Sequence, residues 1–279
     1  MRVLHFGATG NLGAPTLVRL REAGHDVTAF VRSERRLTTA ANRVIVGDAT
    51  DSAAVKAAIE SDDFDVVVST AGCVDNEART AQDAAASPFC RIFSNVCDGL
   101  STSRRPPPSR AIFVAGLTLL SLPGAPDVSL QSVVARRAPQ YAAHQLNYER
   151  LRQTADLDWT LVCPGNLVDA PPSEPGSPLR LSADCLPAWK HDRFRPWMAR
   201  RPLALPFVLV PFLRKQGVLT VAYADVARVI AEQVGTPPGG EFSGRRLGIA
   251  NPTGRRLKKS KAARAEERQR RAARDAEPL

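Results

Sequence analysis

Three glycines, Gly7, Gly10 and Gly13, form the first group of residues in the chain whose spacing could do chemistry. They follow a short apolar run at residues 3–6. They precede a stretch with Leu12, Leu17, Val18 and Leu20 at roughly helical spacing. Strand, tight turn and helix is the order this predicts. Glycine suits each position for a different reason. Gly7 permits the sharp turn, Gly10 lets the backbone come close to a pyrophosphate, and Gly13 allows the helix to pack on the strand. Thr9, Asn11 and Leu12 complete the loop and offer backbone N–H groups at the helix start, where the helix dipole favours an anion. The spacing is G-x-x-G-x-x-G, not the general G-x-G-x-x-G. An ordinary glycine-rich turn is the alternative. The strand before the loop and the helix after it argue for a dinucleotide site.

Such a loop needs a sheet behind it. A second strand is expected at Asp26–Val31, after the Ala23-Gly24-His25 break. Many NAD enzymes carry an acid near the end of this strand, bonded to the ribose hydroxyls. Here Arg32 stands there, with Arg35 and Arg36 close behind. A guanidinium meets phosphate oxygens in two places, so Arg32 points to a 2′-phosphate and to NADP(H), with NAD(H) second. A solvated basic turn is the bland alternative. Further strands are expected at 43–46, 65–69, 111–115, 158–162 and 246–250, with the all-apolar Val66-Val67-Val68 typical of a strand buried on both faces. Helices are expected at 88–100, 143–154 and 218–234. Strands alternating with helices predict an α/β fold, a doubly wound parallel sheet with right-handed crossovers.

The segment Gly7-Ala8-Thr9-Gly10-Asn11-Leu12-Gly13 resembles the nucleotide loop of the atypical short-chain dehydrogenase/reductases, which include the NmrA-like proteins and the flavin (biliverdin IX-beta) reductases. Glu149-Arg150-Leu151-Arg152 followed by Leu157-Asp158-Trp159-Thr160-Leu161-Val162-Cys163-Pro164-Gly165 is similar to the same family, with Cys163 where an arginine is usual. The resemblance covers residues 1–250. It implies that Asp48 and Ala49 line the adenine side. It also implies that the cofactor crosses the strand end at Thr70, Ala71 and Gly72, and that Pro164 belongs to the cofactor turn. Asp48 could instead cap the next helix, as Thr50 or Asp51 could. A typical member lowers a tyrosine's pKa with a lysine four residues on. Laid on this chain, those positions fall on Tyr141 and Gln145, so the dyad is broken. His144 and Tyr148 are the neighbouring polar candidates, and they share a helix face. The flavin reductases also lack the pair and reduce acceptors that need little proton help. The resemblance therefore implies an NADP(H)-dependent reductase of a small hydrophobic acceptor such as a flavin, quinone or carbonyl. A non-enzymatic dinucleotide sensor of NmrA-like type is the alternative.

Two domains of unequal character are expected: a dinucleotide-binding domain over 1–251, with a substrate lobe at 171–218, and a basic low-complexity tail over 252–279. The lobe holds the apolar run 203–213, which reads either as a substrate lid or membrane-touching segment, or as a buried element of the lobe. The formal charge of +10 is uneven. Residues 255–279 carry ten Lys or Arg against four acids, a net +6, which leaves +4 for the rest. The tail suits an acidic partner or a membrane surface. With no aromatic interleaved, specific nucleic-acid binding is not expected. The five cysteines are scattered, with no C-x-x-C and no His/Cys cluster, so neither a zinc site nor a disulfide framework is expected. Together with a first strand at residue 2 or 3, they suggest a cytoplasmic protein.

Overall fold

The computed structural model describes residues 1–72, 76–103, 110–134, 138–154, 157–173, 179–187, 216–251 and 257. Cys73, the apolar run 203–213 and the basic residues of the tail lie outside them. The first half of the fold comprises β1 (Arg2–Phe6), α1 (Gly13–Glu22), β2 (Asp26–Val31), β3 (Arg43–Val46), α2 (Ser52–Ile59), β4 (Val66–Ser69), α3 (Ala81–Ala86), α4 (Pro88–Thr102) and β5 (Arg110–Val114). A short hairpin follows, β6 (Ser121–Leu122) with β7 (Ala125–Ser129), then α5 (Leu130–Val134) and α6 (Ala142–Arg152). The second half contains β8 (Asp158–Pro164), β9 (Asn166–Val168), β10 (Arg180–Ala183), α7 (Gln216–Leu219), β11 (Thr220–Ala222), α8 (Tyr223–Val234) and β12 (Arg245–Ala250).

Eight strands form one sheet in the order β10-β12-β8-β5-β4-β1-β2-β3. Every neighbouring pair is parallel except β10 on β12. The order reverses between β1 and β4, which is the switch point where open α/β sheets bind ligands. Alternate residues of each strand feed two cores. Leu4, Phe6, Val67, Phe113 and Leu161 pack on one face under α2, α4 and α6. Val3, Val27, Ala29, Val68 and Ile112 pack on the other under α1 and α8. Helices on both faces of a parallel sheet make this a Rossmann-like α/β fold.

Local chemistry explains the boundaries. Ser87 caps α4, accepting from the Cys90 N–H at 3.4 Å, and Pro88 occupies the first turn, where its missing N–H costs nothing. Thr80 and Asp83 form a reciprocal capping box on α3. Cys90, Cys97 and Cys163 are buried free thiols. Burial pushes the Cys97 thiol up to about 12, so it packs as a small hydrophobe.

Two expectations are corrected. Residues 218–234 are not one helix: Thr220–Ala222 is strand β11, parallel to β9, and only Tyr223–Val234 is the long helix. The reason is the turn at Gly165. A Cβ there would overlap the Leu219 carbonyl oxygen, so the chain from β8 passes tightly against α7 and pairs beside it. Within the expected 171–218 lobe, residues 180–183 form β10 of the sheet. Antiparallel to β12, it seals that edge. The hairpin β6–β7 likewise lacks an apolar alternation that would announce it.

Candidate functional site

The parallel register carries the residues expected on the cofactor side to one edge. Phe6 pairs with Phe30 and with Ser69, Val31 with Val46, Ser69 with Phe113, and Val114 with Val162. Gly7, Arg32, Asp48, Thr70, Gly116 and Pro164 therefore emerge within a residue or two of the strands' carboxyl ends.

Gly7 has φ +88°, and a Cβ on it would lie 2.6 Å from the Ala71 amide nitrogen. Only glycine fits where the chain leaving β1 passes the chain leaving β4. A Cβ on Gly13 would overlap the Gly7 carbonyl oxygen and stand 2.9 Å from Thr70 Oγ1. Gly10 differs from both. Its N–H closes the turn onto the Gly7 carbonyl at 2.9 Å, and a Cβ on it would meet only that oxygen, at 3.3 Å. Its other side is open. Gly10 and Asn11 are exposed, Thr9 is half-buried, and Leu12 is buried beneath α1 with no side chain capping the helix. A bare, uncapped helix start beside an open glycine fits a pyrophosphate.

Thr70 is anchored from below. Its hydroxyl lies 3.1 Å from the Phe6 carbonyl oxygen, to which it donates, and 3.0 Å from Nε2 of His5, which is fully buried in β1. Thr70 thus ties the ends of β1 and β4 directly under the glycine loop. Gly72 has φ +87° and turns the chain against Phe89. On the β3 side, Asp51 caps α2 through the Ala53 N–H at 2.9 Å, which frees Asp48 from that task. Asp48 stays exposed and accepts the Thr50 N–H at 2.9 Å. That bond, with the nearby Arg32 guanidinium, holds its carboxyl below the usual value. Arg32 itself is exposed at the end of β2. The Ala49 carbonyl is held by Asn95 of α4 at 3.0 Å.

The polar residues of α6 are brought to the same edge only in part. His144 is 7% exposed, and its Nε2 would lie 2.6 Å from a Cβ on Gly116, just past β5. Its ring stacks on Tyr141 at 6.1 Å and meets the edge of Phe89 at 5.4 Å. Burial lowers its pKa to about 4, so His144 is neutral at pH 7. Tyr148 is not brought to this group. It packs on Trp159 at 6.0 Å and under the Arg246 guanidinium at 5.1 Å, toward the amino ends of β8 and β12. Gln145, in the lysine position, gives its amide to Glu149 at 2.8 Å. An open cleft of about 390 Å³ lies between residues 76–79 and Pro139, at the turn that carries Tyr141.

The two buried histidines set a pH dependence. Burial lowers the His5 pKa to about 3 and that of His144 to about 4. Between pH 6.5 and those values the unfolded chain binds protons that the folded chain refuses. Stability is therefore full above pH 6.5 and falls as pH drops, by about 1.4 kcal/mol per pH unit for each histidine. Urea unfolding from pH 7.5 to pH 5 should show this fall, and His144→Phe should roughly halve it. An unchanged slope in the variant would rule out His144 as a source.

A parallel sheet with a bare glycine loop at its switch point defines a Rossmann-type dinucleotide-binding protein. A family model described as NAD(P)H-binding matches residues 7–181, more than half of the chain, and the chain belongs to that family. One curated relative, a 3-diazoavenalumate denitrifying reductase from a Streptomyces species, is 47% identical over 68 residues, which are 24% of this chain and 22% of that enzyme. An anaerobillin reductase from Escherichia coli O157:H7 superposes with a TM-score of 0.55 at 22% identity, over 89% of this chain and 97% of its own. A short-chain dehydrogenase/reductase from Veillonella parvula, solved with NADP, has a TM-score of 0.56 at 14% identity, over 93% and 98% of the two chains. These two structures share the fold. Among the described residues no helix is long and apolar enough to cross a membrane.

Proposed function

We propose that the chain is an NADP(H)-dependent oxidoreductase that reduces a small hydrophobic acceptor, a flavin, quinone or carbonyl compound. The observation that carries this reading is the alignment of the bare glycine loop and the Tyr141–His144 pair along one sheet edge. When bound, the reduced nicotinamide supplies a hydride. The chain's residues do the rest. The loop N–H groups of residues 11–13 hold the pyrophosphate, and Arg32 pairs with the 2′-phosphate while Asp48 faces the base. Thr70 keeps the loop in register. His144 is uncharged and does not supply the cation that a lysine would. The site therefore favours acceptors that take hydride without prior protonation, held in place over the cofactor. The diazo substrate in the relative's name is an electron-poor group of this kind and belongs in the acceptor panel.

Fluorescence titration of NADPH and of NADH, wild type against Arg32→Ala, tests the cofactor reading. Loss of a charged hydrogen bond should weaken NADPH by about 1.5–3 kcal/mol and leave NADH nearly unchanged. Equal losses would remove the NADP preference. Turnover with flavin, quinone, carbonyl and aryl diazo acceptors tests the reaction, and none with any of them would count against it.

Gln145 in place of the lysine favours a second reading, a dinucleotide sensor that does no chemistry and uses the basic tail for an acidic partner or a membrane surface. Deleting residues 255–279 separates the two. A reductase keeps its turnover without the tail, whereas a sensor loses its partner.

A further inference from the structure

Four side chains around the turn after β5 carry a polar atom without a hydrogen-bond partner: Thr118 Oγ1, Gln131 Oε1, His144 Nδ1 and Asn147 Nδ2. Each residue is more than nine-tenths buried. They come from three elements, of which the 3₁₀ turn touches the other two. Thr118 lies in the 3₁₀ turn Leu117–Leu119, Gln131 is the second residue of α5, and His144 and Asn147 lie one turn apart on the buried side of α6. The other unpaired buried side-chain atoms among the described residues, on His5, Thr28 and Arg110, are spread along the sheet. An unpaired polar atom is costly to bury, and most native ones find a partner. Four around a single turn, at the carboxyl end of the sheet, point to one that arrives from outside.

The group's chemistry narrows what arrives. No member carries a charge at neutral pH, since burial keeps the His144 imidazole neutral. A phosphate, carboxylate or ammonium group would stay uncompensated there. Asn147 offers an N–H and Gln131 a carbonyl oxygen. The Thr118 hydroxyl and the imidazole nitrogen each serve in either sense. Donors beside acceptors, all neutral, match a C=O next to an N–H. We propose that Thr118, Gln131, His144 and Asn147 form a neutral polar subsite that holds a carboxamide or cyclic imide edge. This rests on the reductase reading and deepens it. Two ligands of that reading carry such an edge: the cofactor through its nicotinamide carboxamide, and a flavin-type acceptor through its ring imide.

The full-length chain tests this with Asn147→Leu and Gln131→Leu. Lumiflavin is titrated alone by quenching of its fluorescence, and NADPH separately by its own. Each variant should weaken one of the two probes about tenfold, the loss of one or two hydrogen bonds to the ligand. Melting temperature should hold or rise, because an unpaired polar atom has been removed from the free protein. Loss confined to lumiflavin assigns the edge to the acceptor, and loss confined to NADPH assigns it to the carboxamide. Folded variants that bind both probes as wild type does would overturn the subsite and leave the four atoms to water. Should the leucine variants not fold, the isosteric Thr118→Val gives the same reading. Wild-type protein that binds lumiflavin but no dinucleotide would end the reductase reading and leave the subsite standing. Wild-type protein that binds neither would end both.

Discussion

Gly13→Ala is expected to cost the fold about 3 kcal/mol or more, at or beyond the upper end of ordinary overpacking. The added methyl would overlap the Gly7 carbonyl oxygen and press on the carbonyl carbon at 2.7 Å. Both obstacles are backbone, so no rotamer change relieves them. Alanine's better helix propensity returns only about 1 kcal/mol. Relief must come from moving α1 off β1, which opens the phosphate cradle as well, so dinucleotide affinity should fall with stability. Gly10→Ala is the informative partner. Its methyl would meet only the Gly7 carbonyl oxygen, at 3.3 Å, a contact that a shift of a few tenths of an ångström in the loop relieves. Its unfolding midpoint should stay near wild type while NADPH binding weakens about tenfold, as expected when one good phosphate contact is displaced. Urea unfolding and NADPH fluorescence on the two variants check both statements. Wild-type stability in Gly13→Ala would mean that α1 does not sit against β1 as described. Wild-type binding in Gly10→Ala would mean that the pyrophosphate lies elsewhere.

The contrast between these glycines also shows why some of the molecule was legible in the sequence and some was not. A glycine loop works through its backbone, so residue type and spacing announce it without any knowledge of neighbours. Val66-Val67-Val68 announces itself for a related reason: a strand buried on both faces has no polar alternation to confuse it. The strand β10 reads Arg180-Leu181-Ser182-Ala183 and lies at the sheet's edge, where one side of the ladder is open. Its pattern is that of a loop. The three-residue strands β9 and β11 are too short to show a period at all. Within the site, spacing placed Tyr148 on the same face of α6 as His144. Face is not depth, however. Four residues along a helix are about 6 Å. Here α6 runs back against the strand direction, so Tyr148 lies nearer Trp159 than Gly116. Gln131 and Asn147 gave no signal either. A polar residue in a helix normally lies on the solvent side, and only packing shows that these two do not.

The motif Leu157-Asp158-Trp159-Thr160 acquires a physical role at the opposite end of the sheet, and the second large effect is expected there. Arg110, 1% exposed at the start of β5, donates to Asp158 Oδ2 at 3.1 Å and to the Pro237 carbonyl at 3.1 Å. Its other terminal nitrogen donates to Thr160 Oγ1 at 3.0 Å and to Gln233 Oε1 at 3.4 Å. Asp158 also accepts from Ser243 Oγ at 2.6 Å and from the Gly239 N–H at 3.3 Å, and Thr160 donates to the Phe242 carbonyl at 2.9 Å. One guanidinium thus joins β5, β8, α8 and the 237–243 turn that leads into β12. Asp158→Ala leaves that charge buried and unpaired and should cost about 3–5 kcal/mol. The double variant Arg110→Met/Asp158→Leu removes both charges while keeping much of the volume, so it should cost markedly less than the two single losses added together. Urea unfolding of Arg110→Met, Asp158→Leu and the double gives the coupling directly. The network lies at the strands' amino ends, away from the cofactor edge, so NADPH affinity measured in folded Asp158→Ala should match wild type. A loss below about 1 kcal/mol in Asp158→Ala, the range of an exposed pair, would mean that water reaches Arg110. A lost cofactor with stability intact would move the motif back to the binding site.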